Sequence, residues 1–246
     1  MDNDSGTRRA VLVTGAASGI GRAIAAAFEA GGHDVLAVDL TPSDDGPGVP
    51  FAADLLDREA NRAAIAAAVE RFGRLDVVVA NAGVQHVAPI ADFPEDAWER
   101  LITLLLTSPF LLAKYAWPHL AASGDARFQV IASAHALAAS PFKAAYVSAK
   151  HGLAGLTKTV ALELAEHGVT CNAVSPGFVW TPLVEKQIPD LAKSENISLV
   201  QATRQVLSRQ PTNRFVTVDE VAALVAFLAG EPAASITGAN YSIDGG

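Results

Sequence analysis

The stretch SAHALAASPFKAAYVSAK, residues 133 to 150, places several chemically active side chains in an otherwise small and apolar run. Tyr146 and Lys150 are four residues apart, so on a helix they share one face. A free tyrosine has a pKa of about 10, and a neighbouring positive charge lowers it. The pair is therefore suited to proton transfer, although an ordinary pair on a helix surface would have the same spacing. The other polar side chains nearby are Ser133, His135 and Lys143.

A second suggestive stretch is TGAASGIG, residues 14 to 21, which follows an apolar run and precedes a predicted helix. Gly15, Gly19 and Gly21 let the backbone turn tightly and approach a pyrophosphate, whose charge meets free N–H groups at the helix N-terminus. Glycines also serve ordinary turns. The position directly after the first predicted strand is what makes this loop a dinucleotide-binding signal.

Asp39 ends the next predicted strand, at the distance from the glycine loop where a ribose-binding carboxylate is expected. A carboxylate there accepts hydrogen bonds from the adenosine ribose hydroxyls and repels a 2′-phosphate, so it favours NAD over NADP. No basic residue adjoins it, since Leu40 follows and Ala17 occupies the loop. A solvated aspartate at a strand end is the alternative reading. Asp54, which ends the third predicted strand, is expected near the adenine amino group.

Short apolar runs alternate with longer alanine-rich segments along the chain, as strands and helices do in α/β proteins. The predicted strands are residues 10–14, 34–39, 49–54, 75–81, 127–133, 169–175 and 239–244. The predicted helices are residues 20–31, 57–72, 95–121, 144–167 and 218–229. This order predicts an α/β, doubly wound Rossmann-type fold, with a parallel sheet of about seven strands and helices on both faces. Ligands of such sheets bind beyond the carboxyl ends of the strands.

The composition fits one domain. The chain has 246 residues, half of them apolar, and no shift of composition marks a linker, so we expect residues 10–246 to form a single domain after a flexible segment at residues 1–9. The formal charge is −8, and the longest basic block is only Arg8-Arg9. A nucleic-acid partner and an anionic membrane surface are therefore not expected.

Other features bear on the compartment. The polar opening MDNDSGTRR is not a secretory signal, and the apolar stretch at residues 101–117 is interrupted by Thr, Ser, Pro and Lys, so no membrane-spanning segment is expected. The single cysteine, Cys171, excludes an intrachain disulfide, and its apolar neighbours predict a buried thiol. We expect a cytoplasmic protein without a metal site.

The segment from Pro176 to Arg214 breaks the alternation, because it is rich in proline and only unevenly helical near residues 183–208. A long irregular excursion after a strand is where a lid over the substrate is expected, near residues 178–214. An ordinary surface insertion is the alternative.

The ordered set of motifs resembles the short-chain dehydrogenase/reductase family from about Ala10 to Gly246. The matching pieces are TGAASGIG, Asp54, the NAG of residues 81–83, Ser133, the YVSAK of residues 146–150, and the PG of residues 176–177 followed by Thr181. Each piece is weak alone, and the order of the whole set carries the resemblance. It implies hydride transfer to or from a nicotinamide cofactor.

The resemblance also implies roles for individual residues. Tyr146 would be the acid/base, Lys150 would lower its pKa, and Ser133 would hold the same substrate oxygen. The implied cofactor-binding residues are Gly15, Ser18, Gly19, Ile20, Gly21, Asp39, Asp54, Leu55, Asn81, Ala82, Gly83, Tyr146, Lys150, Pro176, Gly177, Val179 and Thr181. The helices at residues 95–121 and 144–167 are those by which family members pair, so a homotetramer is expected.

Four polar side chains are not required by the general mechanism, and we expect them to converge near Tyr146. They are Gln85, His135, Lys143 and Gln187, which together with Ser133 and Tyr146 form the predicted substrate site. One cation with directional donors suits a short carboxylate. The segments NAGVQHVAPI, SAHALAASPFKAAYVSAKHG, TPLVEKQI and QPTNRFVT resemble those of the D-3-hydroxybutyrate dehydrogenases within the family. A reductase acting on a 3-oxoacyl thioester is a further reading.

The sequence departs from the family pattern at several positions. Leu105 stands where an asparagine normally supports a chain of water molecules leading from the lysine, and Ser108 is a candidate substitute one turn along. Ala136 and Phe178 stand in place of glycine and tryptophan, which predicts a pocket of different shape, and a tryptophan expected a few residues after SIDGG is not in the sequence. A weakly catalytic NAD(H)-binding protein is therefore the second hypothesis.

Overall fold

The structure, a computed structural model, describes residues 8–246 and contains one seven-stranded sheet. The strands are β1 (Ala10–Thr14), β2 (Asp34–Asp39), β3 (Val49–Ala52), β4 (Val77–Ala80), β5 (Arg127–Ile131), β6 (Thr170–Pro176) and β7 (Asn240–Ile243). All of them pair in parallel in the order β3-β2-β1-β4-β5-β6-β7. The predicted α/β fold with seven parallel strands is confirmed. The bounds differ from the prediction by up to two residues at an end.

Helices cover both faces of the sheet. They are α1 (Gly19–Ala30), α2 (Arg58–Phe72), α3 (Glu95–Ile102), α4 (Ser108–Ser123), α5 (Ala144–Leu164), α6 (Pro182–Glu195), α7 (Leu199–Leu207) and α8 (Val218–Ala229). One apolar core lies between the sheet and helices α2, α4 and α5. The other lies under α1 and α8. Because both faces are covered, the central strands are buried on both sides, as in VVVA of β4.

Local sequence explains where several helices begin and end. Asp57 caps α2 by accepting a hydrogen bond from the Glu59 amide, and Gly73 ends that helix in the left-handed conformation with φ 74°. Thr217 and Glu220 form a reciprocal capping box at the start of α8. These caps fix where α2 and α8 begin and where α2 ends.

The helix predicted at residues 95–121 is present but not regular. A π-helical turn at Thr103–Thr107 joins α3 to α4, so the backbone registers of the two helices are offset. The combined segment Glu95–Ser123 is long and apolar enough to cross a membrane by length and composition, yet 44% of its most apolar window is buried inside the protein. Core helices meet the same criterion, and α4 packs on α2 and α5.

The irregular segment after β6 forms two helices, α6 and α7, which pack on each other around a small apolar cluster of Val184, Ile188, Ala192 and Ala202. This agrees with the uneven helical pattern predicted there. The two helices stand outside the two main cores.

The amino-terminal edge of the sheet is held by ion pairs. Arg8 pairs with Asp34, and Arg9 pairs with Asp125. The flexible segment predicted at residues 1–9 lies, for residues 1–7, outside the described part of the chain. Cys171 is buried in the core as predicted, and burial raises the pKa of its thiol.

Candidate active site

A cleft of about 650 Å³ opens at the carboxyl edge of the sheet. Strands β2 and β3 extend the sheet on one side of β1, and strands β4 to β7 extend it on the other side. The strand order therefore reverses between β1 and β4. Such a switch point is where doubly wound sheets bind ligands. Apart from Gly21, every residue that the sequence placed at the site borders this cleft.

The glycine loop packs tightly against the end of β4. A Cβ added to Gly15 would lie 2.8 Å from Asn81 Nδ2, and one added to Gly21 would lie 2.1 Å from the Gly15 carbonyl oxygen. Asn81 Nδ2 donates to the Thr14 carbonyl at 2.8 Å. Gly21 therefore lies beneath the loop rather than on the cleft surface, and its missing side chain allows the helix to approach the loop. Asn81 secures this contact.

The N-terminus of α1 faces the start of α6 across the cleft. Ser18 precedes α1 without a side-chain capping bond, and Gly19 adopts φ 52°, which favours glycine. A Cβ at Gly19 would lie 3.3 Å from the Thr181 methyl group, Cγ2. Thr181 itself caps α6 by accepting a hydrogen bond from the Val184 amide at 3.5 Å. The uncapped amides at the N-terminus of α1 could hold a pyrophosphate.

Asp39 is hydrogen-bonded to the glycine loop as well as facing the cleft. One carboxylate oxygen accepts from the Ala17 amide at 3.0 Å, and the other accepts from the Thr41 amide at 3.3 Å. Each oxygen keeps a further lone pair, which fits a ribose diol. Asp54 is exposed and accepts from the Leu56 amide at 3.0 Å, so it sits in a turn at the outer end of the cleft.

Tyr146 and Lys150 lie on one face of α5, with the lysine ammonium 5.5 Å from the centre of the tyrosine ring. Lys150 Nζ is buried and donates to the Ile131 carbonyl at 2.7 Å. Ser133 follows β5 and lies close enough to Tyr146 for its hydroxyl to lower the pKa of the tyrosine. The end of β5 and one turn of α5 therefore bring the three predicted catalytic side chains together.

Burial shifts the pKa of both members of the pair. Burial raises the pKa of Tyr146, and the nearby Ser133 hydroxyl lowers it in part. Burial lowers the pKa of Lys150 to about 7. Near neutrality the lysine is thus poised between its charged and neutral forms, and the protonated tyrosine can act as an acid.

Both ring nitrogens of His135 contact serine hydroxyls. Nδ1 lies 3.4 Å from Ser133 Oγ, and Nε2 lies 2.9 Å from Ser140 Oγ. The ring also meets the Tyr146 ring edge to face, with centroids 5.8 Å apart. Burial, and then the charge of Lys143, lower the pKa of His135 to about 4. The imidazole is therefore neutral at physiological pH.

The remaining predicted substrate residues lie at the far end of the cleft. Gln187 on α6 donates to Gln85 Oε1 at 3.0 Å, while the amide nitrogen of Gln85 is buried without a hydrogen-bond partner. Burial, and then the charge of Arg209, lower the pKa of Lys143 to about 8. Gln85, Gln187 and Lys143 all border the cleft, and a cation with amide donors fits a bound carboxylate.

The structure adds two residues that the sequence analysis missed. Arg209 follows α7, borders the cleft and acts electrostatically on both His135 and Lys143. Gln210 is buried, accepts from the Phe178 amide and donates to the Arg214 carbonyl at 2.6 Å. This amide ties the chain after β6 to the chain after α7. No periodicity marks either residue, because both act through contacts between distant segments.

The departures from the family pattern have different structural consequences. Leu105 is buried beside Gly83, since a Cβ on that glycine would lie 3.0 Å from Leu105 Cδ2. Ser108 does not replace the missing asparagine, because its hydroxyl donates to Asn61 on α2 at 2.7 Å. Ala136 is buried in a small alanine cluster behind the cleft, and its effect on the shape of the pocket stays a prediction. Phe178 does border the cleft.

Comparison with known proteins agrees with this geometry. A family model described as Enoyl-(Acyl carrier protein) reductase matches residues 15–246. The chain belongs to the short-chain dehydrogenase/reductase family, and it is an oxidoreductase of that family. The predicted family membership is confirmed.

Two curated relatives and one solved structure illustrate the similarity. The D-beta-hydroxybutyrate dehydrogenase of Rhizobium meliloti (strain 1021) is 44% identical over 97% of this chain and 98% of its own length. The enzyme of the same name from Cupriavidus necator is 42% identical over 97% of both chains. The ligand-free aldohexose dehydrogenase of Thermoplasma acidophilum has a TM-score of 0.92 at 32% identity, covering 97% of this chain and 93% of its own.

Proposed function

We propose that this protein is an NAD-dependent dehydrogenase of a short 3-hydroxy acid, interconverting D-3-hydroxybutyrate and acetoacetate. The observation that carries the proposal is that the Tyr146–Lys150 pair lines the same cleft as a partly buried cation, Lys143, and the amides of Gln85 and Gln187. The pair suits proton transfer at a hydroxyl group, and the cation with its amides suits a carboxylate.

The chain's own residues account for the proton chemistry. Ser133 and Tyr146 hold the substrate oxygen between them, and Tyr146 receives its proton as the alcohol becomes a ketone. The charge of Lys150 stabilises the tyrosinate that precedes this transfer. A bound nicotinamide would accept the hydride from the carbon that carries the hydroxyl group. In the reverse direction the protonated tyrosine returns its proton to the ketone oxygen.

NAD is the proposed cofactor because of the contacts of Asp39. Its carboxylate faces the cleft beside the glycine loop. There it would accept hydrogen bonds from both ribose hydroxyls of the cofactor and repel a 2′-phosphate. Gly19, Ser18 and the start of α1 would hold the pyrophosphate, and the chain from Pro176 to Thr181 would meet the nicotinamide. Asp54 and Leu55 would border the adenine.

The substrate carboxylate would lie between Lys143 and the glutamine pair. The bond from Gln187 to Gln85 links α6 to the end of β4, so α6 and α7 are proposed to form the lid over the bound substrate. We further propose a cytoplasmic homotetramer paired through α4 and α5. Phe110 and Leu162 support this, because both large apolar side chains are exposed on those helices.

Nicotinamide absorbance tests the proposal. Purified protein would be incubated with NAD and D-3-hydroxybutyrate, and we expect NADH to form with the D isomer and not with the L isomer. NADP replaces NAD in one control, and acetoacetyl thioester with NADH or NADPH tests the thioester reading. Sedimentation of the same sample measures the oligomeric state.

A matched variant separates binding from turnover. Tyr146→Phe should bind NADH normally and produce no D-selective signal. The parent protein could bind NADH but turn over neither isomer of 3-hydroxybutyrate. That result would contradict the substrate proposal and favour the weakly catalytic NAD(H)-binding protein. Faster turnover of the thioester than of acetoacetate would favour the thioester reductase.

A further inference from the structure

The chain that follows β6 borders the cleft, and its backbone amides are engaged by neighbouring segments. The Gly177 amide donates to a carbonyl of β7 at 3.1 Å, and the Trp180 amide donates to the Val216 carbonyl at 3.4 Å. Between them, the Phe178 amide donates to the side-chain oxygen of Gln210. The first two bonds end on backbone atoms, whereas the bond of Phe178 depends on one side chain.

Both ends of the Gln210 amide are engaged, and the residue is only 3% exposed. Its Oε1 accepts from the Phe178 amide, and its Nε2 donates to the Arg214 carbonyl at 2.6 Å. A Cβ added to Gly177 would lie 2.4 Å from the same Oε1, so the glycine allows the side chain to approach this closely. A buried polar group with both partners in place is held in one orientation. Gln210 therefore fixes the position of Phe178 relative to Arg214.

Gln210 also lies at the base of the proposed lid. Helices α6 and α7 lie between Phe178 and Arg214 in the chain, so the one amide joins the segment before the lid to the segment after it. The same two segments form a parallel bridge at Val179 and Val216. The position of the chain after β6 is thus set at this base, where Gln210 supplies the side-chain contact.

We propose that Gln210 is a positioning residue that holds the chain from Gly177 to Val179 in place for the nicotinamide of the cofactor. This inference rests on the cofactor site of the proposed function. Gln210 acts through the backbone of Phe178, whereas the adenosine half of the cofactor would be held by the glycine loop and Asp39. Loss of Gln210 should therefore weaken the contact with the nicotinamide and leave binding of the adenosine half unchanged.

Two ligands separate these contacts. NADH carries the nicotinamide, whereas ADP-ribose has the same adenosine, pyrophosphate and second ribose without it. Calorimetry on the purified protein measures both affinities, and no acid substrate is needed. Gln210→Met keeps the length of the side chain and removes both hydrogen bonds. In this variant we expect NADH affinity to fall about tenfold, while ADP-ribose affinity stays within about twofold of the parent.

Two further variants keep the test specific. Gln210→Glu keeps an acceptor for the Phe178 amide but, when ionised, cannot donate to the Arg214 carbonyl, so its selective loss should be smaller. Gln205→Met makes the matched change on α7, where the side chain bonds to Glu195 of α6 instead, and should alter neither affinity. ADP-ribose binding shows that the cleft is folded, and Gln210→Glu provides the same comparison if Gln210→Met does not fold.

The outcomes distinguish the positioning role from the proposed function. An equal loss of NADH and ADP-ribose affinity in the Gln210 variants would make the glutamine a general support of the fold and overturn the role. Unchanged NADH affinity in both variants would overturn it as well. A selective loss in a protein that does not turn over D-3-hydroxybutyrate would support the role and contradict only the substrate proposal. A parent protein that binds neither ligand would overturn the cofactor site, and the inference with it.

Discussion

The two halves of the cleft are built in different ways. In the cofactor half, after β1, β2 and β4, close backbone packing and main-chain hydrogen bonds define the surface, as at Gly15 and Asp39. In the substrate half, after β5 and along α5, buried side chains define it. The four titratable groups there, His135, Lys143, Tyr146 and Lys150, all have shifted pKa values.

The difference shows that backbone shape defines the cofactor half, whereas burial of side chains defines the substrate half. A backbone surface needs small residues at exact positions, which a short motif can specify. A shifted pKa depends on every element that removes water from the group, including helices distant in the chain. The halves should therefore respond differently to substitution, and variants in each can test the contrast.

The largest effect is expected from Tyr146→Phe, in the substrate half. Loss of the hydroxyl removes the proposed acid/base, so kcat should fall about 10²–10⁴-fold while NADH affinity stays unchanged. Steady-state kinetics and NADH fluorescence titration measure the two quantities. Tyr115→Phe, which removes a half-buried hydroxyl on α4, is the matched control and should retain activity. Activity within twofold of the parent would refute the assignment.

Gly21→Ala tests the packed backbone of the cofactor half. Its new methyl group would lie 2.1 Å from the Gly15 carbonyl oxygen, so the loop has to move. Overpacking of this kind costs about 1–3 kcal/mol, and NADH affinity should fall at least about tenfold. Ala26→Ser adds one atom on the exposed face of the same helix and should leave affinity unchanged. Normal NADH binding by Gly21→Ala would show that the loop is not held by this contact.

Lys143→Ala tests whether the substrate half recognises a carboxylate. Loss of a charge-assisted hydrogen bond costs about 1.5–3 kcal/mol, so the KM for the acid should rise about 10–100-fold while the KM for NAD changes little. Lys114→Ala, at an exposed position of α4, serves as the control. An increase confined to the KM for NAD would overturn the role of the lysine.

Asp39→Ala tests the side chain of the cofactor half that is proposed to select NAD over NADP. Removing the carboxylate ends repulsion of a 2′-phosphate, so the preference for NAD over NADP should narrow about tenfold. Asp39→Asn keeps an acceptor for the Ala17 amide and separates loop support from charge. Asp45→Ala, an exposed neighbour, should keep the parent preference. An unchanged ratio in both Asp39 variants would mean that the ribose lies elsewhere.

Lys150→Met tests the stability of the substrate half, where the expected change is the smallest of the series. The pKa of Lys150 is lowered to about 7, so the unfolded chain binds its proton more readily than the folded one. Its destabilising contribution is complete below pH 7 and fades as the pH rises toward the unfolded value of about 10.5. The variant should therefore gain about 1 kcal/mol at pH 6, and the gain should shrink by pH 9.

Thermal unfolding at the two pH values measures this difference. Lys158→Met removes an exposed lysine from the same helix and should show no such pH dependence. A gain that grows with pH would contradict the lowered pKa. The same Lys150 variant should lose turnover, which links the cost in stability to the chemistry.

The sequence was sufficient to predict the fold, and with the family resemblance it named site residues of which all but Gly21 border the cleft. Apolar runs and alanine-rich helices specified seven parallel strands in order, and the end of β5 and the face of α5 could be read from spacing alone. The π-helical turn at Thr103–Thr107 could not, since a local pattern does not reveal an offset of one residue. Gln210 was missed because it joins two segments that only the folded chain brings together.

The amino-acid sequence by itself determined which residues reach the carboxyl edge of the sheet, because strand and helix periodicity act over short distances. Only the tertiary structure decided what surrounds them. It placed Leu105 against Gly83, turned Ser108 toward Asn61 and engaged both nitrogens of His135 with serines. Burial and hydrogen bonding depend on the positions of all neighbouring elements at once, so side-chain protonation is a property of the whole fold.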